Sequence, residues 1–349
     1  MTNMSPTYGS PVRAPELIRL LDHLLTQTAG APPLCVWGKH GIGKTQIVRE
    51  FAQQQGWGFR QIAPAQFEEM GDLLGMPAIA DGQTVLRPPS WVPRESGPGI
   101  LLLDDINRAD DRILRGLMPL LQEGRLISWE LPAPWHIVLT ANPDQGDYSV
   151  TPMDEAMLTR MVHLHLQFDV TAWLDWAGRC GLDIRGIDFV ARYPELITGR
   201  RTTARSLEQF LRLAAPVADW RKEIQLVQQL ASACLDEETV AGLLQFIRTD
   251  LRGLPTAEGI LAKGPADLPP TLTPTQYWTL SERLNRHLAK APKKLSDSQQ
   301  EHLKDFLLVP DLPADLRFAL AQRLTALQRS DVLQILSDPK VSEVILGER

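Results

Sequence analysis

The chain has 349 residues, 44% of them apolar and 22% charged, with 36 Lys and Arg against 42 Asp and Glu. That length allows two or three domains with sizeable cores, and the formal charge of −6 disfavours a general nucleic-acid binder, which needs clustered cations to neutralise phosphates. The opening Met1-Thr2-Asn3-Met4-Ser5-Pro6 has neither the charged nor the apolar segment of a signal peptide. No apolar run approaches the roughly twenty residues of a membrane span. Cys35, Cys180 and Cys234 lack metal-ligand spacing and read as buried free thiols, so a cytoplasmic protein is expected.

In chain order, Pro33-Leu34-Cys35-Val36-Trp37 reads as a short strand that runs directly into Gly38-Lys39-His40-Gly41-Ile42-Gly43-Lys44-Thr45. From Lys44 to Gln55, the apolar residues Ile47, Val48, Phe51 and Ala52 form one helical stripe, and Gly56 is a stop signal. Phe59–Ile62 is the next strand. Ile100-Leu101-Leu102-Leu103 is the uninterrupted apolar run required of a strand buried on both faces. His136–Thr140 and Met161–Leu166 are two more. Strands alternating with helices predict an α/β domain with a parallel sheet covered by helices. Two insertions interrupt the alternation. Asp81-Gly82 between Ala78-Ile79 and Thr84-Val85-Leu86 predicts a hairpin, and Arg125–Leu131 predicts a shorter one, both on the surface. Beyond about Asp169 the pattern turns helical: Trp173, Leu174 and Ala177 share a face, as do Leu207, Phe210 and Leu211, and Asp236–Ile247 reads as helix. A Pro- and Gly-rich stretch, Gly253–Pro274, separates a last run of short helices. The expected division is an α/β nucleotide-binding domain over 1–168, a helical domain over 169–252 and a helical region over 253–349.

The loop from Gly38 to Thr45 fits the phosphate-binding pattern of Gly, four residues, then Gly-Lys-Thr, with a strand before it and a helix after it. Its backbone N–H groups and the helix N-terminus suit phosphate oxygens. Lys44 is then placed for the β- and γ-phosphates, and the Thr45 hydroxyl for magnesium. The expected ligand is a nucleoside triphosphate, ATP, with Mg2+. Such a loop needs a carboxylate at the end of a neighbouring strand. Asp104 directly follows Leu103 and suits magnesium. Asp105 is placed to polarise the attacking water, while Asp110 and Asp111 serve better as caps for the next helix. Asn142, just past the strand His136–Thr140, lies at the same carboxyl edge of the sheet, where α/β proteins bind ligands. Asn142-Pro143 is equally a turn signal. His163 and His165 alternate with apolar residues along a strand, and Trp129, Trp135, Trp173 and Trp176 read as packing residues.

The phosphate loop, Asp104-Asp105-Ile106-Asn107-Arg108-Ala109, Thr140-Ala141-Asn142-Pro143 and Leu158-Thr159-Arg160-Met161 together resemble the MoxR ATPases, a branch of the AAA+ superfamily with an insertion in its second helix. The resemblance covers about residues 10–215, and the last hundred or so residues match no family pattern. It implies Lys44 and Thr45 as the Walker A residues, Asp104 and Asp105 as the Walker B pair, and Asn142 as sensor 1. It also implies Arg160 as an arginine finger directed at the nucleotide of an adjacent subunit. Arg205 matches sensor 2, with Arg200 and Arg201 as nearby rivals, and residues 169–252 then correspond to a helical lid. Arg108 either faces a neighbouring subunit or makes a local salt bridge. The two hairpins correspond to elements with which these ATPases engage partners. The implied activity is ATP hydrolysis by a ring, a hexamer, that remodels or matures a protein partner, one with a von Willebrand A domain. One departure concerns turnover: the family usually has Glu where this chain has Asp105, one methylene shorter. The alternative reading is therefore an ATP-gated assembly module with little turnover.

Overall fold

A computed structural model describes residues 8–28, 30–143, 150–197, 200–249, 254–290 and 294–346. The N-terminal hexapeptide lies outside the described residues. The chain divides into two units, Met1–Trp173 with Gly199–Ser206, and Leu174–Thr198 with Leu207–Arg349.

The first unit contains β1 (Ser10–Val12), α1 (Ala14–Asp22), β2 (Leu34–Trp37), α2 (Lys44–Gln54), β3 (Gly58–Ile62), α3 (Met70–Leu74), β4 (Met76–Ala80), β5 (Gln83–Arg87), β6 (Gly99–Leu103), α4 (Asp111–Glu123), β7 (Arg125–Leu126), β8 (Trp129–Glu130), β9 (Trp135–Ala141), α5 (Glu155–Leu158) and β10 (Val162–Leu166). Six strands form one sheet in the order β1-β10-β2-β9-β6-β3, all paired in parallel. The expected parallel α/β sheet is therefore present, with a sixth strand, β1, at its edge. Three residues that include Pro11 give too short and too proline-bound a segment to read as a strand, and an edge is one of the few places where a sheet tolerates proline.

Alternation along the strands sorts the core into two layers. Leu34, Val36, Ile100, Leu102 and Val138 pack on one face with Leu17 and Leu21 of α1 and Val48, Phe51 and Ala52 of α2. Cys35, Trp37, Leu101, Leu103, Ile137, Leu139 and Ala141 pack on the other with Leu73 of α3 and Leu114, Leu117 and Leu121 of α4. Both faces are covered, which is why β6 is apolar without interruption. Both hairpins also form: β4 pairs antiparallel with β5, turning at Asp81 (φ 49°) and Gly82 (φ 75°), and β7 pairs with β8. On the longer hairpin Ile79 is 82% exposed, and Ile127 between β7 and β8 is 81% exposed.

The second unit is helical: most of α6 (Val170–Arg179), α7 (Ile184–Arg192), most of α8 (Ala204–Ala214), α9 (Ile224–Cys234), α10 (Glu237–Thr249), α11 (Ala257–Lys263), α12 (Pro274–Lys290), α13 (Asp297–Leu307), α14 (Ala314–Ala326), α15 (Ser330–Leu336) and α16 (Pro339–Leu346). Ile260, Leu280, Leu284, Phe306, Leu324 and Val332 make one of its cores. The stretch read as a Pro- and Gly-rich separator holds α11, capped by the Thr256 hydroxyl, which accepts from Gly259 N at 3.1 Å. Ile260 and Leu261 are fully buried there, so a short amphipathic turn survives inside helix-breaking composition. Asp188 is completely buried between Arg283 and Arg286, each at 2.9 Å. Of the three thiols read as buried, only Cys35 is; Cys180, in the turn just past α6, is exposed, and Cys234, the last residue of α9, is intermediate.

Candidate nucleotide-binding site

The strand β2 ends at Trp37 and hands the chain to the loop 38–43. Gly41 and Gly43 adopt φ of 69° and 102°, left-handed values that favour glycine. A Cβ on Gly41 would also lie 2.7 Å from Thr203 Oγ1. The helix α2 starts at Lys44 with no side-chain cap and no acidic residue in its first turn, so the N–H groups of that turn have no local anion competing for them. That arrangement suits a phosphate.

Strand parity explains which side chains meet at the loop. Leu34, Val36, Leu102 and Val138 face α2, so Asp104, Thr140 and Asn142, each an even number of residues from Leu102 or Val138, emerge on the same side. Thr45 Oγ1 donates to Asp104 Oδ1 at 2.7 Å, and Thr140 Oγ1 donates to the same oxygen at 2.6 Å. Gln61 Nε2, at the end of β3, donates to Asp104 Oδ2 at 2.7 Å. Lys44 is buried and its Nζ donates to the carbonyls of Gly38 (2.8 Å) and Lys39 (3.0 Å) and to Asn142 Oδ1 (3.1 Å). Burial lowers the Lys44 ammonium to about 8, and the carboxylates of Asp105 and Asp104 oppose that shift. Burial likewise lowers His40 in the loop and His165 in β10, and raises the Cys35 thiol under the loop.

In an extended chain, Asp105 would point away from Asp104. Instead its backbone is left-handed, φ 50° and ψ 47°, a region in which Asp is among the better tolerated residues. The turn brings its carboxylate back to the site, where Asn142 Nδ2 donates to Oδ1 at 2.9 Å. Thr140 Oγ1 accepts from Asp105 N at 2.8 Å, and Arg108 Nε lies 3.5 Å from Asp105 Oδ2. The local ion pair, one of the two readings for Arg108, is formed. The Asn142 amide is oriented without ambiguity, since its oxygen meets a donor-only ammonium and its nitrogen an acceptor-only carboxylate. The cap reading for Asp110 also holds, with Ile113 N donating to its carboxylate at 3.0 Å.

The structure therefore brings together Lys44, Thr45, Asp104, Asp105 and Asn142. It also places residues 200–206 against the loop: Arg205 N donates to Gly41 O at 3.2 Å, and the backbone of Arg200 hydrogen-bonds His40. It does not bring Arg160 to Lys44. Met161 precedes β10, whose Val162 pairs with Leu34 at the start of β2, so Arg160 sits at the amino edge of the sheet, opposite the loop. There its Nε donates to Gln122 Oε1 at 3.1 Å and its guanidinium to Ala156 O. Three contributors were missed in the sequence: Thr140, Gln61 and Asn107. Thr140, 0% exposed, left a signal, a hydroxyl at the end of the apolar run His136–Leu139. Gln61 left none.

Solved structures similar to this chain include the RuvB Holliday junction branch migration motor of Thermotoga maritima, 15% identical over 83% of this chain and 93% of that one, at a TM-score of 0.40. A mutant form of the same RuvB is 16% identical over 83% and 94%, at 0.41. An ATPase candidate of Cytophaga hutchinsonii is 14% identical over 93% and 79%, at 0.34. Residues 33–161, which span β2 to the start of β10 and so hold the assembled site, match the family model described as AAA domain, dynein-related subfamily, and the chain carries an AAA domain over that span.

Proposed function

We propose that this protein is a MoxR-like AAA+ ATPase that couples binding and hydrolysis of ATP to remodelling or maturation of a partner protein. The observation that carries the reading is the continuous hydrogen-bonded chain from Lys44 through Asn142 to Asp105, joined through Thr140 to Asp104 and Thr45. Thr45 Oγ1 and Asp104 Oδ1 lie 2.7 Å apart beside the loop, a pair of hard oxygens that fits Mg2+. Thr45 and Asp104 would hold the magnesium, which would supply charge neutralisation for the transferred phosphoryl group. Lys44 and the uncapped first turn of α2 hold the phosphates. Asp105 accepts a proton from, or polarises, the attacking water, and Asn142 orients that water against the carboxylate. Arg205 senses the nucleotide from the segment lying on the loop, with Arg200 and Arg201 as its rivals for that role.

Arg160 serves a neighbouring subunit. Its place at the amino edge of the sheet puts it across the strands from its own loop, so a role at a phosphate requires a second copy. A closed ring, with six copies as the reading implied by the family resemblance, satisfies that requirement. The same resemblance suggests a von Willebrand A domain as partner and residues 169–252 as a lid, and the composition suggests the cytoplasm as the compartment. The deciding experiment is steady-state ATP hydrolysis by the full chain beside Lys44→Ala. Loss of turnover in the variant supports the reading, and equal rates sink it.

A second reading has its own observation. Asp105 is held by Asn142 Nδ2 and lies beside Arg108, and is shorter than the usual Glu. An ATP-gated assembly module with little turnover would show Lys44-dependent oligomerisation without Lys44-dependent phosphate release.

A further inference from the structure

We propose that Asn107 is a positioning residue for the hydrolysis reaction, acting through Asn142; the inference rests on the ATPase reading above. The strand β9 ends at Ala141, so the N–H and C=O of Asn142 have left the ladder of the sheet. Both are claimed by one side chain. Asn107 Oδ1 accepts from Asn142 N at 3.1 Å, and Asn107 Nδ2 donates to Asn142 O at 2.7 Å. A carboxamide is the neutral side chain that offers a donor and an acceptor side by side, so it replaces a neighbouring strand for one residue. Asn107 is 3% exposed and Asn142 0%, and water does not compete for these bonds.

The consequence lies in what the clamped residue does. The amide of Asn142 spans Lys44 Nζ at 3.1 Å and Asp105 Oδ1 at 2.9 Å. Its reach is short, so a backbone rotation that the clamp prevents would break both bonds. Asn107 is itself fixed in the helical turn Ile106–Arg108, directly after Asp105, and its carbonyl accepts from Thr151 N at 2.7 Å. The acid and the amide that orient water are thus referred to the same turn of backbone. Supporting residues of this kind typically matter by roughly 10- to 100-fold in activity, and small misplacement of reacting groups has effects of that order.

The test is a double-mutant cycle on kcat in the full chain, with wild type, Lys44→Ala, Asn107→Leu, Asn142→Ala and Asn107→Leu/Asn142→Ala. Leu keeps the branching at Cγ and removes both hydrogen bonds but is bulkier, so Asn107→Ser serves in its place if the Leu variant does not fold. The expected result is a loss of kcat of roughly 10- to 100-fold for each single variant, and a double variant no slower than the slower single within about twofold. Asp110→Ala, which removes the cap of α4 and lowers stability nearby, should retain kcat. Losses that multiply in the double variant, or an Asn107 variant with wild-type kcat, overturn this inference alone. Wild-type turnover equal to that of Lys44→Ala overturns both this inference and the ATPase reading.

Discussion

Removing one hydroxyl at the end of β9 tests how the two carboxylates are held. Thr140 is fully buried; its Oγ1 donates to Asp104 Oδ1 at 2.6 Å and accepts from Asp105 N at 2.8 Å. Thr140→Val keeps the shape of the side chain, so no cavity term enters. Asp104 keeps its bonds from Thr45 and Gln61, and its charge is not orphaned. The main loss is therefore the Asp105 N–H, left without a partner in the interior at a cost of about 1–3 kcal/mol. The same bond holds the left-handed turn at Asp105 that returns its carboxylate to the site. Turnover should fall by roughly 10- to 100-fold, as for other supporting residues, with ATP affinity changed much less. Urea unfolding should give a lower midpoint at unchanged slope, read beside steady-state phosphate release. Thr140→Ser keeps the hydroxyl and should keep most of the turnover despite losing a methyl group. A Val variant as stable and as fast as wild type, or a Ser variant as slow as Val, would refute the reasoning.

Three further outcomes are expected. Gly99→Ala would put a Cβ 2.4 Å from the Trp135 indole, and overpacking against a buried ring should lower stability by about 1–3 kcal/mol in thermal or urea unfolding; an unchanged midpoint would contradict the close approach. Hydrogen bonding from Arg329 holds the Asp331 carboxyl down from 3.8 to about 2, so its contribution is present above 3.8 and is lost as pH falls toward 2. Asp331→Asn should cost about 2 kcal/mol at pH 7, with the gap to wild type closing below pH 4, and a gap that does not depend on pH would refute the assignment. Finally, Arg160→Ala and Lys44→Ala should each be inactive alone, yet regain hydrolysis when mixed. Roughly a quarter of the interfaces in a random equimolar ring then pair an intact loop with an intact arginine, and no recovery on mixing would argue against a shared site.

Local chemistry alone determined much of this protein. Glycine spacing, strand-end carboxylates and uninterrupted apolar runs act over a few residues, so the phosphate loop, its flanking β2 and α2, the buried strands and the turn at Asp81-Gly82 were all legible. Asn142 and Asp104 were legible too, because a strand end in a parallel sheet fixes the edge on which a residue emerges. What sequence missed has weak local signals. The strand β1 is three residues long, and α11 hides in a Pro- and Gly-rich stretch. Only the tertiary structure decided that Thr140 bridges Asp104 and Asp105, that Gln61 reaches Asp104 from 43 residues away, and that Asn107 clamps Asn142. Each of those bonds joins residues on different strands or turns, and hydrogen-bond partners across a sheet are set by strand order. That order, β10-β2-β9-β6-β3, is a product of packing both faces of the sheet at once, which no window of neighbouring residues records.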